Sequence, residues 1–325
     1  MELLRIKNLK TYFFKKNEAL PAVDGIDLVL RKGETLAIVG ESGSGKSMTA
    51  LSIMGLVPGP NGRIVDGEIV FDNKNLLAAS KEEMRHIRGN DIAMIFQEPM
   101  TSLNPVLKIG DQITEALRLH LKMSKAEARE KAVEMLKLVG FSRAREVLDE
   151  HPHQLSGGMR QRVMIAMAMS CNPKLLIADE PTTALDVTIQ AQILDLMRSI
   201  RDKFRMSILL ITHDLGVVAE MADRVIVMYA GKVVEEGTVE EIFENPQHPY
   251  TKGLLDSIPQ LEAETNRLYS IRGNVPIAAE MPKGCRFAPR CDAAVERCFV
   301  EEPQIIEVDY NHLSRCFLHK DGEIA

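Results

Sequence analysis

The stretch GESGSGKS at residues 40–47 matches the phosphate-binding pattern G-x-x-x-x-G-K-[ST] at every position. It follows the apolar run TLAIV at residues 35–39, typical of a buried strand, and precedes an apolar stretch at residues 48–55, typical of a helix. In this context the glycines let the backbone fold around an anion, so that N–H groups at the positive end of the helix point at it. The stretch therefore predicts a site for the phosphates of a nucleoside triphosphate.

The side chains of this loop have distinct expected roles. Lys46 would reach the β- and γ-phosphates, and the Ser47 hydroxyl would hold Mg²⁺. The alternative is a glycine-rich turn with a chance Lys-Ser pair, which the flanking strand and helix patterns disfavour. The expected nucleotide contacts in the loop and the following helix are Ser42, Gly43, Ser44, Gly45, Lys46, Ser47 and Thr49.

The composition limits the class of protein. With 325 residues the chain suits one large or two modest domains, and 45% hydrophobic and 26% charged residues are ordinary for a soluble globular protein. The net charge of −6 argues against a nucleic-acid partner, because proteins that coat nucleic acids are usually basic. No apolar run approaches the roughly 20 residues that span a bilayer, and the N-terminus lacks a signal-peptide core. We therefore expect a cytoplasmic chain that reaches a membrane only through partners.

Apolar patterns along the chain predict an α/β fold. Strand-like runs before residue 72 predict a small antiparallel β subdomain beside the phosphate-loop strand. Residues 98 to about 172 are rich in helix formers and predict a helical subdomain, in which Ser124 and Glu127 form a capping-box pattern before a helix at residues 125–139. A mostly parallel core sheet is predicted by buried-strand patterns at residues 91–96, 174–179 and 207–212, with a helical pattern at residues 189–204.

From about residue 245 the regular patterns weaken, and prolines and cysteines accumulate. Such a change in composition is typical of a domain boundary. We expect a nucleotide-binding domain at residues 1–245 and a small, irregular C-terminal extension at residues 246–325.

Two carboxylates follow the buried-strand pattern at residues 174–179. A phosphate-loop ATPase needs one carboxylate to hold Mg²⁺ and a second to orient or deprotonate the attacking water. Asp179 suits the first role and Glu180 the second. The alternative, a solvent-exposed acidic pair at a strand end, is disfavoured by the phosphate loop upstream.

A second candidate phosphate cradle is LSGGM at residues 155–159, before a long helical pattern. Its serine and glycines would present a hydroxyl and bare N–H groups at a helix N-terminus. Two cradles so far apart in sequence suggest two nucleotide-facing surfaces. Standing alone, the stretch would be interpreted as an ordinary serine N-cap.

These motifs occur in the order seen in the ATPases of ABC transporters, which the chain resembles over about residues 1–245. The resemblance implies an ABC-type nucleotide-binding fold in which two such domains meet head to tail. ATP would lie between the phosphate loop of one domain and the Ser-Gly-Gly motif of the other. In order, the motifs are the phosphate loop, Gln97 after a strand, LSGGMRQR at residues 155–162, LLIADEP at residues 175–181, Ala184-Leu185-Asp186, and His213.

The resemblance also implies a role for each motif. The expected catalytic residues are Glu180, the switch histidine His213, and Gln97, which would also respond to the membrane subunit. The expected Mg²⁺ ligands are Ser47, Gln97 and Asp179. The expected contacts with the nucleotide of the opposing domain are Ser156, Gly157 and Gly158 of the signature motif, with Asp186 at the dimer interface.

The signature motif departs from the family pattern at one position. Met159 stands where the signature motif usually has Gln, a departure that resembles the peptide-importer subgroup, and the Ser-Gly-Gly core is intact.

The aromatic that stacks on adenine is expected near the N-terminus, with Phe13 favoured and Tyr12 next. The alternative is that both rings only pack against the sheet.

The C-terminal extension resembles that of the ATPases of dipeptide and oligopeptide importers, through NPQHPYTKGLL at residues 245–255 and CRFAPRC at residues 285–291. This implies a D-type ATPase subunit at the cytoplasmic face of the cell membrane. The implied partners are two transmembrane permease subunits, a second, related ATPase subunit in a heterodimer, and, indirectly, an extracytoplasmic peptide-binding protein. The alternatives are a nickel or haem importer with the same machinery, and an ABC ATPase that serves DNA maintenance or translation.

Four of the five cysteines crowd into the extension, at Cys285, Cys291, Cys298 and Cys316. In a cytoplasmic ATPase such a cluster favours metal binding over disulfides, and its spacing leaves an iron–sulfur cluster and Zn²⁺ both open. The resemblance implies a [4Fe–4S] cluster in some members of the subgroup. A structural role fits the short, proline-rich tail, which is too small to bury much core, whereas no residue supports the alternative of redox sensing. Cys171, remote from the others, is expected to be a small buried hydrophobic residue.

Overall fold

The computed structural model describes residues 1–15, 18–97, 102–183, 185–258, 270–276 and 280–319. Helices and strands alternate over these residues, which confirms the predicted α/β class. Within this part of the chain no helix is long and apolar enough to cross a membrane.

The elements are numbered in chain order. The strands are β1 (Glu2–Lys15), β2 (Glu18–Arg31), β3 (Thr35–Val39), β4 (Gly62–Phe71), β5 (Lys74–Asn75), β6 (Ile92–Ile95), β7 (Leu175–Asp179), β8 (Ser207–Ile211), β9 (Arg224–Tyr229), β10 (Lys232–Thr238), β11 (Ile306–Asp309) and β12 (His312–Ser314). The helices are α1 (Lys46–Ile53), α2 (Lys81–Ile87), α3 (Ile109–His120), α4 (Lys125–Leu138), α5 (Ala144–Val147), α6 (Gly157–Ala168), α7 (Val187–Phe204), α8 (Leu215–Met221), α9 (Val239–Glu244), α10 (Pro249–Asp256) and α11 (Glu296–Val300).

The chain divides into two compact units. The first unit comprises Met1, Arg31–Glu34 and Ala78–Ile211. The second unit comprises Glu2–Leu30, Thr35–Leu77 and Thr212–Ala325.

The first unit combines parallel strands with the helical part of the chain. β7 pairs in parallel with β6 on one side and with β8 on the other, and every residue of β7 and β8 is buried. Strands buried on both faces need continuous apolar sequence, as these have. The predicted capping box is present at the start of α4, where the Ser124 hydroxyl accepts from Glu127 N at 3.3 Å and the Glu127 carboxylate accepts from Ser124 N at 2.8 Å.

The second unit contains an antiparallel sheet in the order β2-β1-β4-β5 and a group of strands in the order β11-β12-β10-β9-β3. β1 continues well past the strand pattern of its first residues, because a register shift between Lys7 and Lys10, with Asn8 at φ 47°, absorbs the break in alternation. β3 runs parallel to β9, and the antiparallel hairpin β9–β10 turns at Ala230 and Gly231.

The C-terminal extension is less irregular than its sequence predicts. β12 pairs antiparallel with β10, and β11 pairs antiparallel with β12. The extension therefore adds a hairpin to the edge strand β10, which would otherwise leave backbone N–H and C=O groups unpaired.

A buried carboxylate fixes the extension to β10. Glu235 is fully buried and accepts hydrogen bonds from Gln247 N at 2.6 Å, from His248 N at 2.8 Å and from His312 Nε2 at 2.8 Å. Burial alone would raise the pKa of Glu235, but these hydrogen bonds hold it below its usual value. A buried charge is tolerated only with such partners, so the segment before α10 and strand β12 are both tied to one side chain.

We expect the stability of the protein to fall between pH 6.5 and pH 4 because of His248. Burial lowers the pKa of His248 from 6.5 to about 4, against the opposing effect of Glu235. The unfolded chain therefore takes up a proton that the folded chain excludes, so stability rises with pH across this range. Urea unfolding should give a free energy about 2 kcal/mol lower at pH 5 than at pH 7 from this group.

The matched variant is His248→Asn. Asn cannot titrate here, but it can still cap α10 by accepting from Tyr250 N, as His248 Nδ1 does at 3.0 Å. The variant should lose the His248 part of the pH dependence. An unchanged pH dependence in the variant would contradict the assignment.

Candidate nucleotide-binding and hydrolysis site

The phosphate loop connects the fully buried strand β3 to helix α1 in the second unit. Gly40, Gly43 and Gly45 have backbone φ values of 147°, 81° and 101°, which residues with a side chain rarely adopt. A Cβ on Gly40 would lie 2.2 Å from the carbonyl oxygen of Met228, and one on Gly45 would lie 2.5 Å from that of Ala22. The loop backbone therefore passes through spaces that only glycine fits.

The polar side chains of the loop suit an anion. Lys46 is buried, and its Nζ donates to the carbonyl oxygens of Gly40 at 2.7 Å and Glu41 at 3.0 Å. The buried Ser44 hydroxyl has no hydrogen-bond partner among the described residues. A cation and an unsatisfied hydroxyl inside a glycine cradle fit a phosphate group. Ser42 and Gly43 lie in the same loop, and Ser47 is the second residue of α1. Thr49 follows on α1, where its hydroxyl donates to Gly45 O at 3.0 Å.

Glu41 of the loop contacts two residues that sequence patterns did not predict at this site. Its backbone N–H donates to the Tyr250 hydroxyl at 2.8 Å. Its carboxylate accepts two hydrogen bonds from Arg290, at 2.6 Å and 3.0 Å. Both partners lie in the C-terminal extension, and no local sequence pattern links them to the loop.

The two N-terminal aromatics, Tyr12 and Phe13, are consecutive residues of β1. The Tyr12 hydroxyl donates to Asp24 at 2.5 Å, and burial, with this hydrogen bond, raises the pKa of Tyr12 to about 12. Phe13 pairs with Gly62 on β4, and a Cβ on Gly62 would lie 2.7 Å from the Phe13 ring. Both rings are half-buried, so the choice of Phe13 over Tyr12 as the adenine contact stays a prediction.

The remaining predicted residue of the second unit is His213. It is exposed and follows Thr212, whose N–H donates to Ile38 O of β3 at 3.2 Å. This hydrogen bond holds His213 beside the end of the strand that leads into the phosphate loop. Helix α8 starts just after it, capped by Asp214.

In the first unit, the predicted catalytic residues Gln97 and Glu180 are in contact. Gln97 Nε2 donates to Glu180 Oε2 at 3.0 Å, and the Thr183 hydroxyl donates to the same oxygen at 2.9 Å. Asp179 ends β7 and is 4% exposed. Glu180 has a φ of 49°, an uncommon conformation for a residue with a side chain. Residues in such conformations are concentrated at functional sites, and here the hydrogen bonds from Gln97 and Thr183 hold the carboxylate.

The Ser-Gly-Gly motif and Asp186 begin two helices of the first unit. Ser156 caps α6 by accepting from Met159 N at 3.3 Å, and Asp186 caps α7 by accepting from Ile189 N at 2.9 Å. A Cβ on Gly158 would lie 2.8 Å from Ile189, whereas one on Gly157 would meet nothing closer than 4.0 Å. Ser156 is thus an N-cap at least, and its predicted phosphate contact remains a prediction. Ala184 lies outside the described residues.

One residue of the signature helix has a role that the sequence did not indicate. Gln161 Nε2 donates to Pro181 O at 2.5 Å, and Gln161 is fully buried. This bond ties α6 to the residue that follows Glu180. The Ser-Gly-Gly helix and the Asp-Glu strand end are therefore parts of one packed structure.

Comparison with known proteins identifies the family. The ABC transporter family matches residues 23–183, and the family described as oligopeptide/dipeptide transporter, C-terminal region, matches residues 234–298. The oligopeptide transport ATP-binding protein AppD of Bacillus subtilis (strain 168) is 60% identical over 98% of this chain and 97% of its own length. This chain belongs to the family of ATP-binding subunits of oligopeptide/dipeptide ABC transporters. The resemblance found in its motifs is confirmed.

Two further comparisons agree with this membership. The dipeptide transport ATP-binding protein DppD of the same organism is 54% identical, over 98% of this chain and 95% of its own length. The dimeric structure of the ATP-binding cassette MJ0796, in a post-hydrolysis state with ADP and Pi, matches with a TM-score of 0.66 at 30% identity. That match covers 73% of this chain and 99% of the cassette. The protein is therefore an ABC-type ATPase.

The four cysteines of this ABC ATPase line one cavity in the extension. They are free thiols, and burial, with the neighbouring thiols, raises the pKa of Cys285, Cys291 and Cys316, the last to about 11. Over the described ranges, however, no group of three or more His, Cys, Asp or Glu residues is arranged to hold a metal ion. The expected iron–sulfur or Zn²⁺ site is thus not supported by this geometry, although the four predicted ligands do converge. Cys171 is buried, as expected.

Proposed function

We propose that this ABC ATPase powers the import of dipeptides and oligopeptides. The observation that carries the hydrolytic part is the Glu180 carboxylate, held between Gln97 and Thr183 by hydrogen bonds of 3.0 Å and 2.9 Å. The transported class is supported by the match of residues 234–298 to the oligopeptide/dipeptide C-terminal region. It is also supported by relatives named as oligopeptide and dipeptide transport proteins. Both relatives are named for peptide transport, which does not favour nickel, haem or a role outside transport.

The proposed assembly has two permease subunits in the membrane, with this chain bound to them at the cytoplasmic face. A related second ATPase would complete a head-to-tail heterodimer, and a peptide-binding protein would act indirectly from the other side. The dimeric state of the MJ0796 cassette supports the pairing of two such domains. We further propose the domain bounds inferred from the sequence, residues 1–245, with a helical subdomain at 98–172, and residues 246–325.

The proposed chemistry divides between the two units. In the second unit, the phosphate loop binds the phosphates through Lys46 and the loop N–H groups, while Tyr12 or Phe13 receives the adenine. In the first unit, Glu180 orients the attacking water and accepts its proton. Mg²⁺ on Ser47, Gln97 and Asp179 would neutralise phosphate charge.

The contribution of the opposing subunit follows from its own residues. Ser156, Gly157 and Gly158 would donate to the γ-phosphate bound by its partner, with Asp186 at the interface. His213 would bond the same phosphate from the side of the phosphate loop. A complete site would then exist only when two ATPase subunits meet.

Glu180→Gln should keep ATP binding and lose turnover. The variant preserves the shape of the side chain but removes the base, and loss of a positioned general base costs roughly 10²–10⁴-fold in rate. The measurement is ATP hydrolysis and peptide uptake by the assembled transporter, with Glu130→Gln on the exposed face of α4 as control. Hydrolysis within a few-fold of the parent would rule out the role given to Glu180.

We also propose that Cys285, Cys291, Cys298 and Cys316 hold one cofactor, a [4Fe–4S] cluster, with Zn²⁺ as the alternative. All four line the same cavity, and backbone N–H groups donate to Cys285, Cys291 and Cys316, which partly offsets the burial that raises the pKa of these thiols. A single Zn²⁺ would require all sulfurs about 2.3 Å from one ion, whereas a cluster lets them stand further apart. Its role would be structural, because a small extension buries little core of its own.

Protein purified without oxygen should therefore be brown and contain iron and sulfide. Cys291→Ser should lose the cofactor and destabilise the extension, because metal binding there is also folding free energy. Cys171→Ser, at a buried position outside the cluster, is the control and should keep the cofactor. A colourless protein with one zinc would refute the iron–sulfur assignment, and a metal-free protein would refute the site.

A further inference from the structure

The segment CRFAPRC at residues 285–291 contains two arginines, Arg286 and Arg290, that contact the proposed ATP-binding elements. Arg290 donates through Nη1 and Nη2 to the two carboxylate oxygens of Glu41, at 2.6 Å and 3.0 Å. Glu41 is the second residue of the phosphate loop. A two-pronged Arg–carboxylate pair fixes both orientation and distance, unlike a simple ion pair.

Arg290 is itself held rigidly. Its side chain is only 4% exposed, and its Nε donates to Arg272 O at 2.8 Å. The guanidinium carbon lies 5.7 Å from the centre of the Tyr229 ring and 6.0 Å from that of Phe287. A side chain confined in this way keeps a fixed position relative to its own segment. The position of that segment therefore determines where the guanidinium meets Glu41.

The backbone of Glu41 also makes two hydrogen bonds. Its N–H donates to the hydroxyl of Tyr250, whose fully buried ring packs edge-on against Tyr229 at 4.7 Å. The carbonyl oxygen of Glu41 accepts from Lys46 Nζ at 3.0 Å. The position of Glu41 is thus linked directly to the lysine expected to bind the phosphates.

The second arginine reaches the adenine side of the proposed site. Arg286 donates to Asp24 and to the carbonyl oxygen of Ala230. Asp24 in turn accepts from the Tyr12 hydroxyl at 2.5 Å. The cysteine-flanked segment therefore contacts the elements proposed for both ends of the nucleotide.

Charge gives the Arg290 contact a function beyond packing. The Glu41 carboxylate belongs to a loop proposed to receive a polyanion, and an unneutralised carboxylate there would repel it. The paired guanidinium of Arg290 neutralises this charge. Because it binds both carboxylate oxygens, it also holds the carboxylate in one orientation. The repulsion would grow with the number of phosphates on the ligand.

We propose that Arg290 is a positioning residue for ATP, which neutralises and orients Glu41 so that nucleotide affinity depends on the folded C-terminal extension. This inference rests on the proposed function, in which the phosphate loop binds ATP. The residue acts through Glu41 and takes no part in the chemical step.

The test is a titration of the purified full-length protein with MgATP, MgADP and AMP by calorimetry. Arg290→Gln should weaken MgATP binding by about tenfold, MgADP less and AMP least, because the unpaired Glu41 charge repels the phosphates proposed to lie in the loop, of which ADP lacks the γ-phosphate and AMP lacks both β and γ. The double variant Arg290→Gln/Glu41→Gln should recover most of the lost affinity. Arg290→Lys keeps the charge without the fork and should lose less; it also serves if Arg290→Gln does not fold.

The control is Arg145→Gln, which breaks an exposed two-pronged pair with Glu130 (2.8 Å and 2.6 Å) on helices of the first unit and should leave affinity unchanged. Lys46→Ala separates the two claims: if it binds MgATP as the parent does, the proposed function fails. If Lys46→Ala loses binding while the Arg290 variants bind like the parent, only this inference fails. Equal losses for all three nucleotides, or no recovery in the double variant, would also overturn it.

Discussion

The phosphate loop depends on backbone passages with no room for a side chain. At Gly40 and Gly45 a Cβ would lie 2.2 Å and 2.5 Å from carbonyl oxygens of Met228 and Ala22. The loop backbone therefore packs directly against the backbone of β9 at Met228 and of β2 at Ala22. Lys46 then sits buried against loop carbonyls, where a polyanion could replace them. Glycine adopts the positive φ values of the loop without steric strain, whereas a residue with a side chain rarely does.

The two units contain different parts of the candidate site. The second unit collects the loop, the N-terminal aromatics, His213 and the extension, which are all suited to holding a nucleotide. The first unit holds the Glu180 carboxylate between two hydrogen-bond donors and ties the Ser-Gly-Gly helix to it through Gln161. The residues proposed to bind the nucleotide and the carboxylate proposed to act in hydrolysis therefore lie in different units.

Local sequence patterns predicted the features that local physics determines. The loop, the α/β class and the capping box at Ser124 follow from residue spacing and helix-end chemistry, and all three are present. The Arg290–Glu41 pair joins residues 249 apart in the chain, and no pattern of either segment encodes it. The extension was expected to be irregular, because its strands are short and gain their stability from β10 rather than from their own sequence. The geometry at the four cysteines likewise depends on how the extension folds.

We propose that ATP is hydrolysed in a site that a second ATPase subunit completes. The decisive measurement is ATP turnover per chain as a function of protein concentration and then of added partner subunit. We expect the chain alone to be a weak ATPase, with a turnover per chain that rises with concentration and increases further with the partner. Strong turnover that is independent of concentration and unaffected by the partner would show that one chain suffices and that no shared site is needed.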